Sequence, residues 1–172
     1  MSEFTLCDGL WEREQYVPLL ERTIKIYIMQ EGDKSPTGRQ LEIVDSINSF
    51  PVDFLSAAAS HAWDYYQRLD AILKYAKNGG VVFKRDEVSQ HFFFKSALIP
   101  QIKNCEANFI FLAAHCDWEE EHGMGFLVEN GQIIFCGDET SLPFSAAWEE
   151  IISSPKAVRD TLLSENLSQN TG

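Results

Sequence analysis

Residues 125–136 read Gly125-Phe-Leu-Val-Glu-Asn-Gly-Gln-Ile-Ile-Phe-Cys136. Asn130-Gly131 stands between two apolar runs, and both residue types tolerate the positive φ that a type I′ turn needs. The spacing predicts a tight β-hairpin in which Val128 faces Ile133 and Phe126 faces Phe135. Upstream, Ala107-Asn-Phe-Ile-Phe-Leu-Ala-Ala114 is a continuous apolar run and reads as a strand buried on both faces. Strand and hairpin together form a three-stranded antiparallel meander.

Further toward the N-terminus, Phe92-Phe-Phe-Lys-Ser-Ala-Leu-Ile99 is rich in strand formers, and Pro100 marks its end or a sheet edge. Thr23-Ile-Lys-Ile-Tyr-Ile-Met29 alternates, with Ile24, Ile26 and Ile28 on one face, as a half-buried strand does. Residues 4–30 look extended, with Leu10–Tyr16 as the expected partner of that strand. Glu31–Pro36 is a turn cluster.

Between these strands the period changes. Thr37 and Gln40 have the spacing of a capping box, and Leu41, Val44 and Ile47 follow at helical intervals. Phe50-Pro51 closes that helix and opens a longer one. Its stripe is Phe54, Leu55, Ala58, Ala62, Tyr65, Tyr66, Leu69, Ile72, Leu73 and Ala76, with Lys74 and Lys77 in the last turn and Asn78-Gly79-Gly80 as C-cap. After the hairpin, Phe144, Ala147, Trp148, Ile151 and Ile152 return to helical spacing. Ser154-Pro155 then starts a short last helix with Val158 and Leu162 inward. The expected fold is α+β: N-terminal strands, two central helices, an antiparallel meander with an Asn-Gly hairpin, and short C-terminal helices. One domain spans residues 1–163, and residues 164–172 form a frayed polar tail.

The chain has 172 residues, 45% of them hydrophobic and 12% aromatic, which excludes a disordered or low-complexity chain and suits one core. Its 26 acids against 14 bases give a formal charge of -12. The acid is concentrated: no Lys or Arg occurs from Asn104 to Pro155, a stretch that holds ten acids. They are Glu106, Asp117, Glu119, Glu120, Glu121, Glu129, Asp138, Glu139, Glu149 and Glu150. Such a globule repels phosphate backbones, which argues against nucleic-acid binding. No signal peptide and no membrane-spanning apolar run is visible, so a cytoplasmic location is expected. Cys7, Cys105, Cys116 and Cys136 are far apart and read as reduced thiols.

One stretch concentrates chemistry: His115-Cys-Asp-Trp-Glu-Glu-Glu-His-Gly-Met-Gly125. His115, Cys116 and His122, or His122 with Asp117 and Glu119, are donors suited to zinc, but the spacing matches no closed zinc motif. Neighbouring carboxylates beside His122 suit general acid–base work, yet the nucleophile elbow, the P-loop and the dinucleotide fingerprint are all missing. The reading that needs least is structural or recognition chemistry. Trp118 anchors the turn, Gly123 and Gly125 permit positive φ or a bulge, and the acids point outward. No catalytic residue, metal or cofactor is expected. His61 and His91 read as packing or surface residues, and Phe92–Phe94 as core and edge.

The same stretch, followed by strand, Asn-Gly turn, strand and Gly137-Asp138, resembles a bacterial family of uncharacterised cytoplasmic proteins. That family carries a Trp-Asp-x-Glu-His-Gly-x-Gly hallmark in a β-hairpin. The Pro36-Thr37 start of a Gln-containing helix, ahead of a helix with paired tyrosines, is similar too. The resemblance covers roughly residues 20–140, and Glu119 stands where the hallmark has Asp. It carries over no catalytic residue. Proteins of this kind are similar in size and acidity to immunity proteins encoded beside bacterial toxins.

The expected function is therefore a non-enzymatic acidic binding protein, an immunity protein for a basic toxin being the leading form. Its expected contact residues are Asp117, Trp118, Glu119, Glu120, Glu121, His122, Asp138 and Glu139. The rivals are a small metal-dependent or carboxylate-based enzyme centred on His115, Asp117, Glu121 and His122, and a homodimer pairing its Phe92–Phe94 strands edge to edge.

Overall fold

The computed structural model describes residues 3–32, 34–74, 83–101, 107–119 and 121–139, together with Ile152, Ser154 and Arg159. Among the described residues seven strands form one sheet: β1 (Thr5–Cys7), β2 (Leu10–Val17), β3 (Arg22–Met29), β4 (Phe92–Ile99), β5 (Phe109–Cys116), β6 (Met124–Glu129) and β7 (Gln132–Asp138). Their spatial order is their chain order. All neighbours are antiparallel except β3 and β4, which pair in parallel from Lys25 with Ser96 to Ile28 with Ile99. A parallel step needs a long crossover. Here it contains the two helices α1 (Gly38–Ser46) and α2 (Phe54–Leu73).

The helices take their places for local reasons. The Thr37 side chain accepts from the Gln40 amide at 3.2 Å, and Gln40 Oε1 accepts from the Thr37 amide at 3.0 Å. This capping box satisfies two donors that a helix N-terminus leaves open. Gln40 is only 5% exposed, and its Nε2 donates to the Met29 carbonyl at 2.8 Å, tying the start of α1 to the end of β3. α2 follows Pro51, whose carbonyl accepts from Phe54 at 2.9 Å. It ends at Lys74, which is left-handed at φ 53. The expected stop at Asn78-Gly79-Gly80 is therefore displaced upstream. Its residues lie outside the described ones, as do Ala76 and Lys77. The inward stripe is also narrower than expected. Phe54, Ala58, Ala62, Tyr65 and Tyr66 are buried, whereas Leu55, Ile72 and Leu73 stand 39–45% exposed. A helical stripe stays inside only where a facing surface covers it.

The helices cover one sheet face. Ile24, Ile26 and Ile28 of β3, Ile110 and Leu112 of β5, and Met124, Phe126 and Val128 of β6 form this core with Val44, Phe54 and Tyr66. Successive strand residues point to opposite faces, and the alternate positions Leu98, Phe109, Phe111, Leu127 and Phe135 build a second cluster, which Ile152 joins from outside the sheet. This is why β5 is a continuous apolar run.

Two expectations about the sheet, the edge position of the Phe run and the register of the hairpin, are corrected. β4 is the fourth of seven strands, not an edge; β5 pairs with its Phe92–Phe94 stretch on one side, and β3 pairs with its second half, Ser96–Ile99. Within β6 and β7, Val128 lies opposite Ile133, but Phe126 lies opposite Cys136, and Phe135 opposite Leu127. A bulge inserts Ile134 and shifts everything beyond it by one residue. A one-residue shift moves a side chain to the other face. Phe135 therefore serves the second cluster and Cys136 the first. The residues joining these strands, Asn130 and Gly131, lie at φ 50 and 82. Asn130 Oδ1 accepts from the Asn108 amide at 3.0 Å, and the Asn130 amide donates to the Asn108 carbonyl at 2.9 Å. The expected helices from Pro143 onward and the tail at 164–172 lie outside the described residues, apart from the three named above.

Candidate functional site

The connection from β5 to β6 runs from Asp117 to Gly123 and is knitted by its own backbone. The Glu119 amide donates to the Cys116 carbonyl at 3.4 Å and the Gly123 amide to the Glu119 carbonyl at 2.9 Å. Gly123 takes φ +72, and a Cβ there would stand 2.8 Å from both the Ala114 carbonyl oxygen and Glu139 Oε2. Only glycine meets both demands without strain.

Trp118 points inward. It is 6% exposed and meets Tyr66 and Phe83 edge to face, at ring separations of 5.7 and 5.6 Å. Its ring fills the core beneath the connection, so it is the buried one of the described residues expected to make contact. Its Nε1 is buried without a hydrogen-bond partner among the described residues.

The acids around it are largely paired. Asp117 Oδ2 lies 2.9 Å from His91 Nδ1, and Asp117 Oδ1 lies 4.0 Å from His115 Nε2. Glu119 Oε1 meets His122 Nδ1 at 3.2 Å. Glu139 Oε2 meets Lys95 Nζ at 2.6 Å, and Glu129 pairs with Arg159. Thus much of the one-sign stretch meets cationic or imidazole groups, and Lys95 and Arg159 come from outside it in sequence. Asp138 lies close enough to Tyr65 to oppose its ionisation, second only to burial, and Glu119 adds to that. Glu121 is exposed and makes no ion pair among the described residues. Glu120 lies outside the described residues.

The donor atoms diverge. His115 is on the second sheet face and 41% exposed at its side chain, whereas Cys116 is buried against the helices. Burial pushes the Cys116 thiol up to about 12, the opposite of what a thiolate ligand or nucleophile needs. Among the described residues no three His, Cys, Asp or Glu side chains are grouped to hold a metal ion. The four residues His115, Asp117, Glu121 and His122 do not form one cluster: Asp117 turns to His91 and His115, and His122 to Glu119.

His91, expected as a packing or surface residue, joins this group. It lies just before β4, and Phe92 pairs with Cys116, so antiparallel register places His91 beside Asp117. Its ring contacts Phe83 at 4.2 Å, while His115 contacts Phe93 at 5.1 Å, and the Arg22 guanidinium sits on Phe93 at 4.4 Å. The only sequence signal for this pairing is the β4–β5 register, which no local pattern shows.

Comparison with known proteins gives one family. Residues 2–143 match the model of a domain of unknown function, DUF6985. No curated protein and no solved structure matches the chain.

Proposed function

The chain belongs to the DUF6985 family, and we propose that it is a non-enzymatic acidic binding protein that docks a basic protein partner through the tip of the β5–β6 connection. A bacterial toxin with a basic cleft is the partner of this chemistry, the chain then serving as its immunity protein. The observation that carries the reading is that Asp117, held by His91, and Glu121 are exposed in a connection whose Trp118 is buried. Asp117 is 51% exposed at its side chain, Glu121 is exposed, and the indole beneath holds the backbone in place. Pre-ordered charge costs little entropy on binding, and it steers an oppositely charged partner. The test is co-purification with the product of the adjacent gene, followed by titration at micromolar concentration in low salt. Saturable binding that Asp117→Lys with Glu121→Lys removes supports the reading; no binding under these conditions ends it.

The His91–Asp117–His115 group favours a second reading, in which an acid–base site is centred there. A carboxylate at 2.9 Å from an imidazole nitrogen fixes the tautomer and orientation of the ring. Elemental analysis of protein purified without a His-tag separates a metal-dependent version of this reading, which requires a stoichiometric transition metal.

A further inference from the structure

Three of the chain's four histidines sit on the carboxylates of the β5–β6 connection. They come from three places in the sequence: His91 precedes β4, His115 is in β5, and His122 is in the connection itself. Asp117 lies between two of them, with Oδ2 at 2.9 Å from His91 Nδ1 and Oδ1 at 4.0 Å from His115 Nε2. Glu119 Oε1 meets the third, His122 Nδ1, at 3.2 Å. All three imidazoles are partly open to solvent, so protons reach them. The fourth histidine, His61, is on α2 with Asp64 and Arg68 as its charged neighbours, and burial holds its imidazole below the ordinary range.

Lysine, arginine and carboxylate side chains ordinarily hold their charge from about pH 5 to 8, and imidazoles do not. The groups around the three histidines are of the first kind. Ahead of His91, Lys84 pairs with Glu87 at 3.3 Å. Arg22 sits on the Phe93 ring that His115 contacts. Lys95 holds Glu139 at 2.6 Å, against Gly123 and so next to His122. The Tyr65 hydroxyl and the Cys116 thiol, which Glu119 also influences, are kept protonated by burial. Among the described residues the connection carries three carboxylates, Asp117, Glu119 and Glu121, and three imidazolium ions set among them would cancel that field.

We propose that His91, His115 and His122 form a pH switch on docking at this tip, a regulation that rests on the docking reading above. As pH falls from about 7.5 to 5.5 the imidazoles gain charge, the field of Asp117 and Glu119 is neutralised, and a basic partner is released. By linkage, a basic partner that binds expels protons from the imidazoles.

A ten-residue oligolysine is the probe, titrated by calorimetry into the full-length protein in low salt. The wild type binds it about tenfold more weakly at pH 5.5 than at pH 7.5. Binding at pH 6.5 releases protons, read from the heats in buffers of different ionisation enthalpy. The protein with His91→Gln, His115→Gln and His122→Gln keeps its affinity within about twofold across that range and releases none, because glutamine does not titrate. His61 is intact in both proteins, and the Asp117 amide still donates to the carbonyl of residue 91. Circular dichroism verifies folding; where the triple variant does not fold, His115→Gln and His122→Gln singly each reduce the proton release. Equal pH dependence in wild type and folded variants, or wild-type binding that is flat with pH, overturns the switch and leaves the docking reading standing. No binding at pH 7.5, or binding that Asp117→Lys with Glu121→Lys leaves unchanged, overturns docking at the tip and the switch with it.

Discussion

His91 and Asp117 are joined twice. The Asp117 amide donates to the His91 carbonyl at 3.0 Å, and His91 Nδ1 meets Asp117 Oδ2 at 2.9 Å. One link is backbone and survives substitution, and the other is not. The start of the β5–β6 connection is thus fixed to the residue that precedes β4, which holds the acidic tip at a defined place on the sheet.

Asp117→Ala removes only the side-chain link. Both side chains are partly exposed, at 29% and 51%, so solvent screening limits the loss to less than about 1 kcal/mol in denaturant unfolding. Asp117→Lys combined with Glu121→Lys has a larger effect on partner binding than on stability. Affinity falls by about tenfold or more in low salt, and the difference from wild type shrinks as salt rises, as titration at two ionic strengths would show.

Gly123→Ala destabilises the protein by about 1–3 kcal/mol, read from the urea midpoint. It places a Cβ 2.8 Å from a backbone carbonyl that cannot move without disturbing β5, at a φ of +72 that side chains disfavour. Gly131→Ala, also at positive φ but with its nearest atom at 3.5 Å, costs less.

Arg159→Met leaves Glu129 partly buried, at 15% exposure, without its cation. The expected loss is about 3 kcal/mol, because an uncompensated buried charge costs more than the intact pair contributes. Adding Glu129→Gln removes that charge and recovers part of the loss. A double-mutant cycle by chemical denaturation measures the coupling.

High pH weakens the fold. Burial raises the Cys116 thiol from near 9 to about 12, raises Cys136 well above its ordinary value, and raises the Tyr65 hydroxyl. The folded chain therefore keeps protons that the unfolded chain releases. The stability is fully present below the unfolded thiol value near 9 and is lost as pH climbs through 12. Unfolding free energies measured between pH 7 and pH 10.5 fall across this window, and Cys116→Ala flattens the decline.

Much of the fold follows from patterns of neighbouring residues. The alternation of Ile24, Ile26 and Ile28 lies on one buried face, and the apolar run of β5 is buried on both. Each is a local consequence of the period-two backbone of a strand. The parallel pairing of β3 with β4 was not legible, since it joins residues about seventy apart and no local period encodes a partner. The bulge at Ile134 was equally hidden. It shifts the register beyond the turn without changing the composition of the strand, and so reassigns Phe135 and Cys136 to opposite faces.

The candidate site divides in the same way. The sequence by itself determined which groups are available: a one-sign acidic stretch, a tryptophan among the acids, and glycine at the end of the turn. Tertiary structure alone decided what each group does. It turned Trp118 inward, brought His91 to Asp117 through the β4–β5 register, and supplied Lys95 and Arg159 to acids far away in sequence. Charge counts are additive along a chain, but Coulomb interactions and burial depend on distances through space, and the sheet sets those distances.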